Sequence, residues 1–197
     1  MRALILDMYG VIMKDPECGF MPFVNRAFPD LSCEEIYKYW DKADLGEMSS
    51  LDFLRKLGFK GDLSKIEKEF LDTAEIDESF YEFAPAVKKH CRLALLSNDI
   101  SEWSRYVRDK FKINGYFDVI TVSGDVKVGK PDPAIFRLTL DKLDLPAADC
   151  IYVDDRRSNL TTALSLGMDA VLFNRRNVPY GGKTVYSFKE LADMLIP

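Results

Sequence analysis

The stretch ALILDMYGV, residues 3–11, decides the fold of this chain. Its first four residues form a continuous apolar run, and Asp7 follows directly, with Gly10 three residues further on. A continuous rather than alternating apolar run is typical of a strand that is buried on both faces, as in a parallel sheet. Asp7 then lies at the carboxyl end of that strand, where open α/β sheets bind their ligands. We therefore take residues 3–11 as the start of a parallel sheet with a candidate functional carboxylate at its edge.

Similar apolar runs recur along the chain and alternate with segments of helical period. The predicted strands cover residues 3–6, 93–96, 119–122, 150–153 and 170–173, with a weaker candidate at 184–186. Between the strands, Asp132 followed by Pro133 has the pattern of a helix N-terminus, and Ser187 with Glu190 has that of a capping box. Alternating strands and helices are typical of an α/β fold, so we predict a doubly wound, mainly parallel, Rossmann-like sheet.

Residues 14–84 interrupt this alternation. They contain no good strand pattern, whereas Ser32 with Glu35 and Ser64 with Glu67 have the spacing of helix starts. We therefore predict a helical insertion of roughly seventy residues directly after the first strand, packed above the carboxyl edge of the sheet. In this interpretation residues 1–13 and 85–197 form the α/β core.

Composition limits the classes of function. The chain has 197 residues and a net charge of -5, with the charges interspersed along it. A nucleic-acid or membrane-surface protein would show a basic face, so we expect neither partner. The N-terminus runs directly into the first apolar strand rather than into a basic region and a long apolar segment. We therefore expect neither a signal peptide nor a membrane span.

The number and spacing of the histidine and cysteine residues exclude several kinds of catalytic and metal site. The one histidine, His90, rules against catalytic arrangements and metal sites that need several imidazoles, and we interpret it as an ordinary loop or helix-end residue. The four cysteines, at positions 18, 33, 91 and 150, form no Cys-x-x-Cys pair, so neither a zinc cluster nor a redox motif is expected. Scattered thiols suit a reducing compartment, and we expect a cytoplasmic protein.

A hydroxyl and an amide follow the strand predicted at 93–96. Ser97 and Asn98 would lie at the carboxyl edge of the sheet, where they can hold anionic oxygens. The same residues, together with Asp99, also have the composition of a helix cap. Both interpretations stay open for this segment.

A lysine in a rigid Gly-Lys-Pro turn precedes the helix that starts after Asp132. The stretch from Gly124 to Lys130 nearly spells a phosphate-binding P-loop, but Pro131 replaces the required Ser or Thr, so we reject that motif. The turn can instead place a fixed positive charge at the edge of the sheet. Lys127 competes for this role, and the rigid turn favours Lys130.

Two adjacent carboxylates, Asp154 and Asp155, follow the strand predicted at 150–153. Burying such a pair is costly unless a cation lies between it and Asp7. Oxygen ligands without histidine or cysteine favour Mg²⁺. The alternative interpretation is that the pair binds the two arginines at 156–157 on the surface. Because all these polar residues follow strands of one sheet, we predict that they converge on one crevice.

The order of these residues resembles the haloacid dehalogenase superfamily over essentially the whole chain. The predicted insertion at 14–84 falls where that family has its helical cap. The run at 154–159 is similar to the glucose-1-phosphatase-like branch and to the N-terminal phosphatase of epoxide hydrolases. The four matching motifs are Asp7 with residues 8–11, Ser97-Asn98, residues 129–133 and residues 154–167.

The resemblance implies a role for each of these residues. Asp7 would be the nucleophile, Ser97 would bind the transferred group, and Lys130 would stabilise its charge. The implied Mg²⁺ ligands are Asp7, Tyr9 through its main-chain carbonyl, Asp155 and its neighbour Asp154. The implied substrate-binding residues are Ser97, Asn98, Lys130 and Asn159, the last standing where many relatives have a further acid.

Tyr9 departs from the phosphatase pattern, which has a second aspartate two residues after the nucleophile as general acid and base. The unperturbed pKa of tyrosine is about 10, against about 3.9 for aspartate, so Tyr9 is a poor substitute. A general acid typically contributes about 10²–10⁴-fold to the rate. Tyrosine here is similar to the 2-haloacid dehalogenases, whose halide leaving group needs no proton but which need no acidic pair at 154–155.

Three functions stay open. The favoured one is a Mg²⁺-dependent phosphatase that forms a phospho-aspartate at Asp7, acts on a small phosphorylated metabolite, favours acyl or aryl phosphates, and is a monomer or homodimer. The second is a dehalogenase-type hydrolase in which Asp7 attacks carbon, with Arg26 and Arg55 as the candidates in the insertion for holding a substrate carboxylate. The third is a catalytically weak relative that binds a ligand or partner.

Overall fold

The sheet is six-stranded and parallel in the computed structural model of the chain, which describes residues 2–14 and 20–195. Cys18, and with it residues 15–19 of the predicted insertion, lies outside the described residues. The strands are β1 (Ala3–Leu6), β2 (Arg92–Ser97), β3 (Val119–Val122), β4 (Cys150–Asp154), β5 (Asp169–Phe173) and β6 (Lys183–Val185). Their order is β3-β2-β1-β4-β5-β6, and each neighbouring pair is parallel, which confirms the predicted fold class.

The strand order reverses at β1, which lies between β2 and β4. Such a reversal opens a crevice at the carboxyl edge, because the connections on its two sides leave in opposite directions. Asp7 follows β1, so the topology places its side chain at the mouth of that crevice. The fold therefore positions the candidate nucleophile where α/β enzymes bind their ligands.

Alternation along β1 explains why the sheet is buried on both faces. Leu4 and Leu6 contribute to one hydrophobic core, and Ala3 and Ile5 contribute to the other. All four side chains are completely buried. Because each apolar face of a strand is stabilised by removing it from water, a continuous apolar run fixes a strand with cores on both sides.

Helices cover both faces of this sheet and fill the predicted insertion. Those between β1 and β2 are α1 (Phe20–Ala27), α2 (Cys33–Asp44), α3 (Ser50–Lys56), α4 (Leu63–Leu71) and α5 (Phe80–Val87). The later helices are α6 (Ser101–Lys110), α7 (Ser123–Val126), α8 (Pro133–Leu143), α9 (Arg157–Ser165) and α10 (Phe188–Leu195). None of the helices in the described part of the chain combines the length and the apolar character that crossing a membrane requires.

Helix α5 crosses the predicted boundary at residue 84. Phe80 and Phe83 in this helix pack against Phe188 of α10, with ring centroids 5.6 and 4.7 Å apart. Earlier helices of the insertion contact the core through Trp103 of α6, whose ring centroid lies 4.5 Å from that of Phe70. The insertion is thus joined to the core by aromatic packing of its last two helices, α4 and α5.

The helix starts agree with three of the predicted caps and correct a fourth. Ser187 Oγ accepts a hydrogen bond from Glu190 N at 3.2 Å at the start of α10. The Ser32 and Glu35 capping box is present, and the Asp132 carboxylate accepts a hydrogen bond from Ala134 N at 2.8 Å. The prediction of a helix start at Ser64 is wrong. The cap is Asp62, whose side chain accepts from Lys65 N at 3.1 Å, so the helix has already begun when the chain reaches Ser64.

Candidate active site

A buried lysine joins the carboxylates that follow β1 and β4. Lys130 Nζ lies 2.7 Å from Asp7 Oδ1 and 3.0 Å from Asp154 Oδ2, and it donates to the Leu96 carbonyl at 3.0 Å. These side chains come from three separate segments that meet at the carboxyl edge of the sheet. Lys127, the competing lysine, is exposed and has left-handed backbone geometry. The structure therefore brings Lys130 to the nucleophile candidate.

Asn98 fixes the turn that carries this lysine. Its Oδ1 accepts from Lys130 N at 2.7 Å and its Nδ2 donates to Lys130 O at 2.8 Å. Ser97 is completely buried, and its hydroxyl lies 3.3 Å from the Asn98 carbonyl. The alternative interpretation of these residues as a helix cap is wrong, because α6 has Ile100 at its N-cap without a side-chain hydrogen bond.

The acidic pair Asp154-Asp155 has its own partners in the core. Asp154 is completely buried and accepts hydrogen bonds from Tyr152 and from Asn159 Nδ2, the latter at 2.9 Å. Asp155 Oδ2 accepts from Arg176 Nη2 at 2.8 Å. Pairing of the two carboxylates with the arginines that follow them, the alternative raised by the sequence, is therefore wrong.

Negative charge outweighs positive charge in this cluster. Burial, followed by the charge of Asp154, raises the pKa of Asp7 to about 8, and Lys130 acts in the opposite direction. Burial and the charge of Asp154 also raise the pKa of Asp155, whereas Arg176 acts to lower it. Burial acts to raise the pKa of Asp154 as well, but Lys130 together with hydrogen bonds from Tyr152, Arg156 N and Asn159 outweighs it, and the net shift is downward. The excess charge is what a divalent cation would offset.

The geometry of the three carboxylates fits a magnesium ion. One oxygen from each of Asp7, Asp154 and Asp155 lies within 4.8 Å of the others. Among the buried side-chain nitrogen and oxygen atoms of the described residues, Asp155 Oδ1 is the one that lacks a hydrogen-bond partner. A buried, unpartnered carboxylate oxygen costs free energy unless a ligand satisfies it. Asp155 is therefore better placed than the fully engaged Asp154 to contact a metal directly.

Gly10 explains how the loop after Asp7 approaches this oxygen. Its φ of +81° is a left-handed conformation, and a Cβ at this position would lie 2.7 Å from Asp155 Cγ. Arg175 holds the same loop from outside, since its guanidinium donates to Gly10 O at 3.2 Å and to Val11 O at 2.7 Å. The sequence reasoning did not single out Arg175 or Arg176, because both reach the site from the loop after β5.

A cavity of about 250 Å³ opens above this cluster. Its walls include the predicted residues Asp7, Asn98, Lys130 and Asn159, whereas Ser97 is not among them. Residues that the sequence reasoning did not assign to the site complete the wall. They are Tyr37, Trp40, Asp41 and Asp44 from α2, and Asp99, Trp103, Pro131, Arg156 and Ser158 from the core. Tyr9, which the resemblance assigns to the metal site, lines the cavity as well.

The cavity shows which aromatic and basic side chains lie near the candidate nucleophile. Tyr37 and Trp40 of α2 line the cavity, and Trp40 also packs against the hydrophobic core. Arg26 and Arg55 are exposed, and the arginine that lines the cavity is Arg156, which follows β4. His90 lies just before β2, at the amino ends of the strands, as expected for a residue outside the site.

Tyr9 is oriented by a second buried acid. Its hydroxyl donates to Asp99 Oδ2 at 2.8 Å, and Asp99 is only 4% exposed. Burial, with the nearby charge of Asp44, raises the pKa of Asp99 well above its ordinary value. The position two residues after Asp7 thus contacts an acid from the loop after β2. The Ser-Asn-Asp composition of that loop is the one signal in the sequence that points to it.

The reversed parallel sheet, with acids and a lysine at its carboxyl edge, defines an α/β enzyme scaffold. A family model described as haloacid dehalogenase-like hydrolase matches residues 1–167. The chain belongs to the haloacid dehalogenase-like hydrolases, as the resemblance of its motifs predicts.

Individual relatives cover different shares of the chain. A phosphorylated carbohydrates phosphatase of Thermotoga maritima is 25% identical over 87% of this chain and 84% of its own length. Acyl-CoA dehydrogenase family member 10 of Mus musculus is 42% identical over 88% of this chain, and drimenol cyclase drtB of Aspergillus calidoustus is 28% identical over 89%. The matches span only 18% and 34% of those two longer proteins.

A solved structure supports the fold. The family enzyme BT-2542 of Bacteroides thetaiotaomicron, in complex with magnesium and inorganic phosphate, superposes with a TM-score of 0.77 at 19% identity. The match covers 92% of this chain and 98% of that one.

Proposed function

We propose that this protein is a Mg²⁺-dependent phosphatase that acts on a small phosphorylated metabolite through a phospho-aspartate at Asp7. The observation that carries the proposal is the unpartnered, buried Asp155 Oδ1 beside the Asp7 and Lys130 pair. A metal-independent carbon-centre hydrolase has no need for that oxygen. The names of two relatives agree, since one is a phosphatase of phosphorylated carbohydrates and the other was solved with magnesium and phosphate.

The chain's own residues account for the nucleophilic step. Asp7 Oδ1 is held by Lys130 and by Met8 N at 2.7 Å, so we assign the attack on phosphorus to Oδ2. The P–O bond to the leaving group breaks as the Oδ2–P bond forms, and water then hydrolyses the phospho-aspartate. Lys130 neutralises charge on the transferred phosphoryl group. Asn98 positions Lys130, and Asn159 positions Asp154.

Asp155, Asp7 and the Tyr9 carbonyl would hold the magnesium ion, with Asp154 behind them. When bound, Mg²⁺ supplies charge stabilisation to the phosphoryl oxygens and to the attacking carboxylate. Asp7 and Asp155, whose pKa values are raised by burial and by the charge of Asp154, would be held in their ionised forms at such a site. Ser97 would act from beneath the site, on the transferred group.

The helical insertion, residues 14–84, would serve as the cap over this site. Helix α2 supplies Tyr37, Trp40, Asp41 and Asp44 to the wall of the cavity, so the insertion determines which leaving groups fit. The described cysteines Cys33, Cys91 and Cys150 are free thiols, which suits the cytoplasmic location that we propose. A monomer or homodimer is compatible with a site built from one chain.

Hydrolysis of p-nitrophenyl phosphate and acetyl phosphate tests the proposal. Wild type and Asp7→Asn are each assayed with Mg²⁺ and with EDTA. We expect turnover that requires both the metal and Asp7, with phosphate released in equal amount to the alcohol or acid. Turnover of 2-haloacids without metal would establish the dehalogenase-type alternative. Absence of turnover on every substrate would overturn both catalytic alternatives and leave the binding relative.

A further inference from the structure

Asp44 is an acid of the insertion that lines the cavity above the candidate nucleophile. It is the last residue of α2 and lines the same cavity as Asp7 and Lys130. Its carboxyl group also interacts electrostatically with Arg156 and Lys130, which line the same cavity. Asp44 thus shares a cavity with the attacking carboxylate but comes from the insertion, whereas Asp7 comes from the sheet.

Close backbone packing fixes the position of Asp44. Gly46 has a φ of +65°, and a Cβ there would come 2.2 Å from the carbonyl oxygen of Gly124 in α7. The carboxyl group accepts a hydrogen bond from the Trp40 side chain. The Trp40 ring is itself packed against Phe20, with centroids 4.6 Å apart. Asp44 is therefore held by a rigid helix end rather than by a loose surface turn.

The surroundings of Asp44 keep its proton available near neutral pH. Burial raises the pKa of Asp44 to about 7, while the hydrogen bond from Trp40 acts to lower it. Asp41, on the same helix, adds to the rise, and Arg156 and Lys130 oppose it. Asp99, from the loop after β2, is the other acid that interacts with Asp44. A general acid is most effective when its pKa lies near the working pH.

We propose that Asp44 is the general acid of this enzyme and protonates the leaving-group oxygen when Asp7 attacks phosphorus. The inference rests on the proposed phosphatase function. As the Oδ2–P bond forms and the P–O bond breaks, the Asp44 proton moves to the departing oxygen, which leaves as an alcohol. The Asp44 carboxylate then takes a proton from the water that attacks the phospho-aspartate. Inorganic phosphate leaves, and both acids return to their starting states.

This assignment changes the expected substrate class. The sequence, with tyrosine at position 9, favours acyl and aryl phosphates because their leaving groups need no proton. With Asp44 as the acid, alkyl phosphate monoesters become substrates as well. Alkoxides are poor leaving groups, so their departure depends on the proton far more than that of p-nitrophenolate.

The test compares Asp44→Asn with wild type on sn-glycerol 3-phosphate and p-nitrophenyl phosphate, both with Mg²⁺. We expect kcat on the alkyl ester to fall by about 10²–10⁴-fold and kcat on the aryl ester to change by only a few-fold. In wild type, kcat on the alkyl ester should decline as the pH rises through about 7, and this decline should be absent from the variant. Glu47→Gln, which removes an exposed charge just beyond the same helix, serves as the control.

Retained aryl phosphatase activity shows that the Asp44→Asn variant is folded. Equal losses on the two esters, or no loss on either, would overturn the role of Asp44. If the variant does not fold, the role of Asp44 is tested with wild type alone. Its kcat/KM is measured on a series of phosphate esters with increasing leaving-group pKa. A shallow dependence of kcat/KM supports the proposal and a steep one overturns it. A wild type that hydrolyses no phosphate ester overturns the phosphatase function itself, and the role of Asp44 with it.

Discussion

Lys130 Nζ lies 2.7 Å from Asp7 Oδ1, and the two side chains are only 2% and 8% exposed. Because the same ammonium group also binds Asp154, it holds two buried carboxylates in place. Lys130→Met would leave both without their cation, which typically costs about 3–5 kcal/mol of unfolding free energy. We expect that loss in urea denaturation, together with loss of phosphate hydrolysis.

Lys127→Gln is the matched control for this change. Lys127 is three residues away, in the same segment, and exposed. We expect its substitution to alter the unfolding free energy by less than about 0.5 kcal/mol. A Lys130→Met variant as stable as Lys127→Gln would show that the buried ion pair is not what stabilises this edge of the sheet.

Magnesium should stabilise the protein through Asp155. A ligand that binds only the folded state at one hundred times its dissociation constant adds about 2.7 kcal/mol of stability. We expect Mg²⁺ to raise the melting temperature of wild type and EDTA to reverse the rise. Asp155→Asn should abolish the shift, whereas Asp193→Asn, in an exposed ion pair with Lys189, should preserve it. An undiminished shift in Asp155→Asn would remove this residue from the metal site.

Arg175 links Asp77, near the end of the insertion, to the loop after the nucleophile. Its Nη2 lies 2.6 Å from Asp77 Oδ2 and 2.7 Å from Val11 O. Burial acts to raise the pKa of Asp77, but hydrogen bonds from Ser79 and Arg175 outweigh it and the net shift is downward. A lowered pKa in the folded state stabilises the protein above the unfolded-state pKa. That contribution is lost as the pH falls through the folded value.

Arg175→Gln should therefore destabilise the protein by about 1.5–3 kcal/mol at neutral pH, the range for hydrogen bonds to charged groups. The difference from wild type should be constant above about pH 5 and should shrink below about pH 4, where Asp77 becomes protonated. Urea denaturation from pH 3 to 7 measures both. A difference that widens at low pH would contradict the assignment of the pair.

The strands could be predicted from the sequence because their signal is local. The apolar run in β1 needs no knowledge of the partner strands to show that both faces are buried. The observed strand β2 is one residue longer at each end than the predicted strand at 93–96. The added residues, Arg92 and Ser97, are polar, so the apolar pattern does not include them although they pair with neighbouring strands. The false helix start at Ser64 has a similar cause. Asp and Ser both cap helices, so the sequence does not decide between Asp62 and Ser64. In the structure the helix begins after Asp62.

The site residues that could be predicted are those that directly follow a strand in the sequence. Asp7 and Asp155 follow strands directly, so the sheet itself brings them together. Asp44 and Trp40 reach the cavity because α2 packs over the edge of the sheet, and no local pattern encodes that contact. Arg176 approaches Asp155 from the loop after β5 for the same reason. Residues that arrive by tertiary packing therefore stayed beyond sequence reasoning.

Tyr9 should contribute to stability rather than to proton transfer. Its hydroxyl donates to the buried Asp99 carboxyl group at 2.8 Å, so Tyr9→Phe removes a donor from a group that is away from water. Such a loss typically costs about 1–3 kcal/mol. We expect this decrease in urea denaturation, with the ratio of alkyl to aryl phosphate turnover unchanged. A selective loss on alkyl phosphates would transfer the role of general acid from Asp44 to Tyr9.

Gly46→Ala should displace Asp44 without changing any group that carries charge. The φ of +65° costs an alanine roughly 1–2 kcal/mol, and the added Cβ would lie 2.2 Å from Gly124 O. Gly61→Ala isolates the first effect, because Gly61 has a φ of +86° and a Cβ there would meet nothing within 4 Å. We expect both variants to lose stability in urea, Gly46→Ala the more. Only Gly46→Ala should lower turnover of sn-glycerol 3-phosphate relative to p-nitrophenyl phosphate. Equal ratios in the two variants would mean that contact between α2 and α7 does not position the acid.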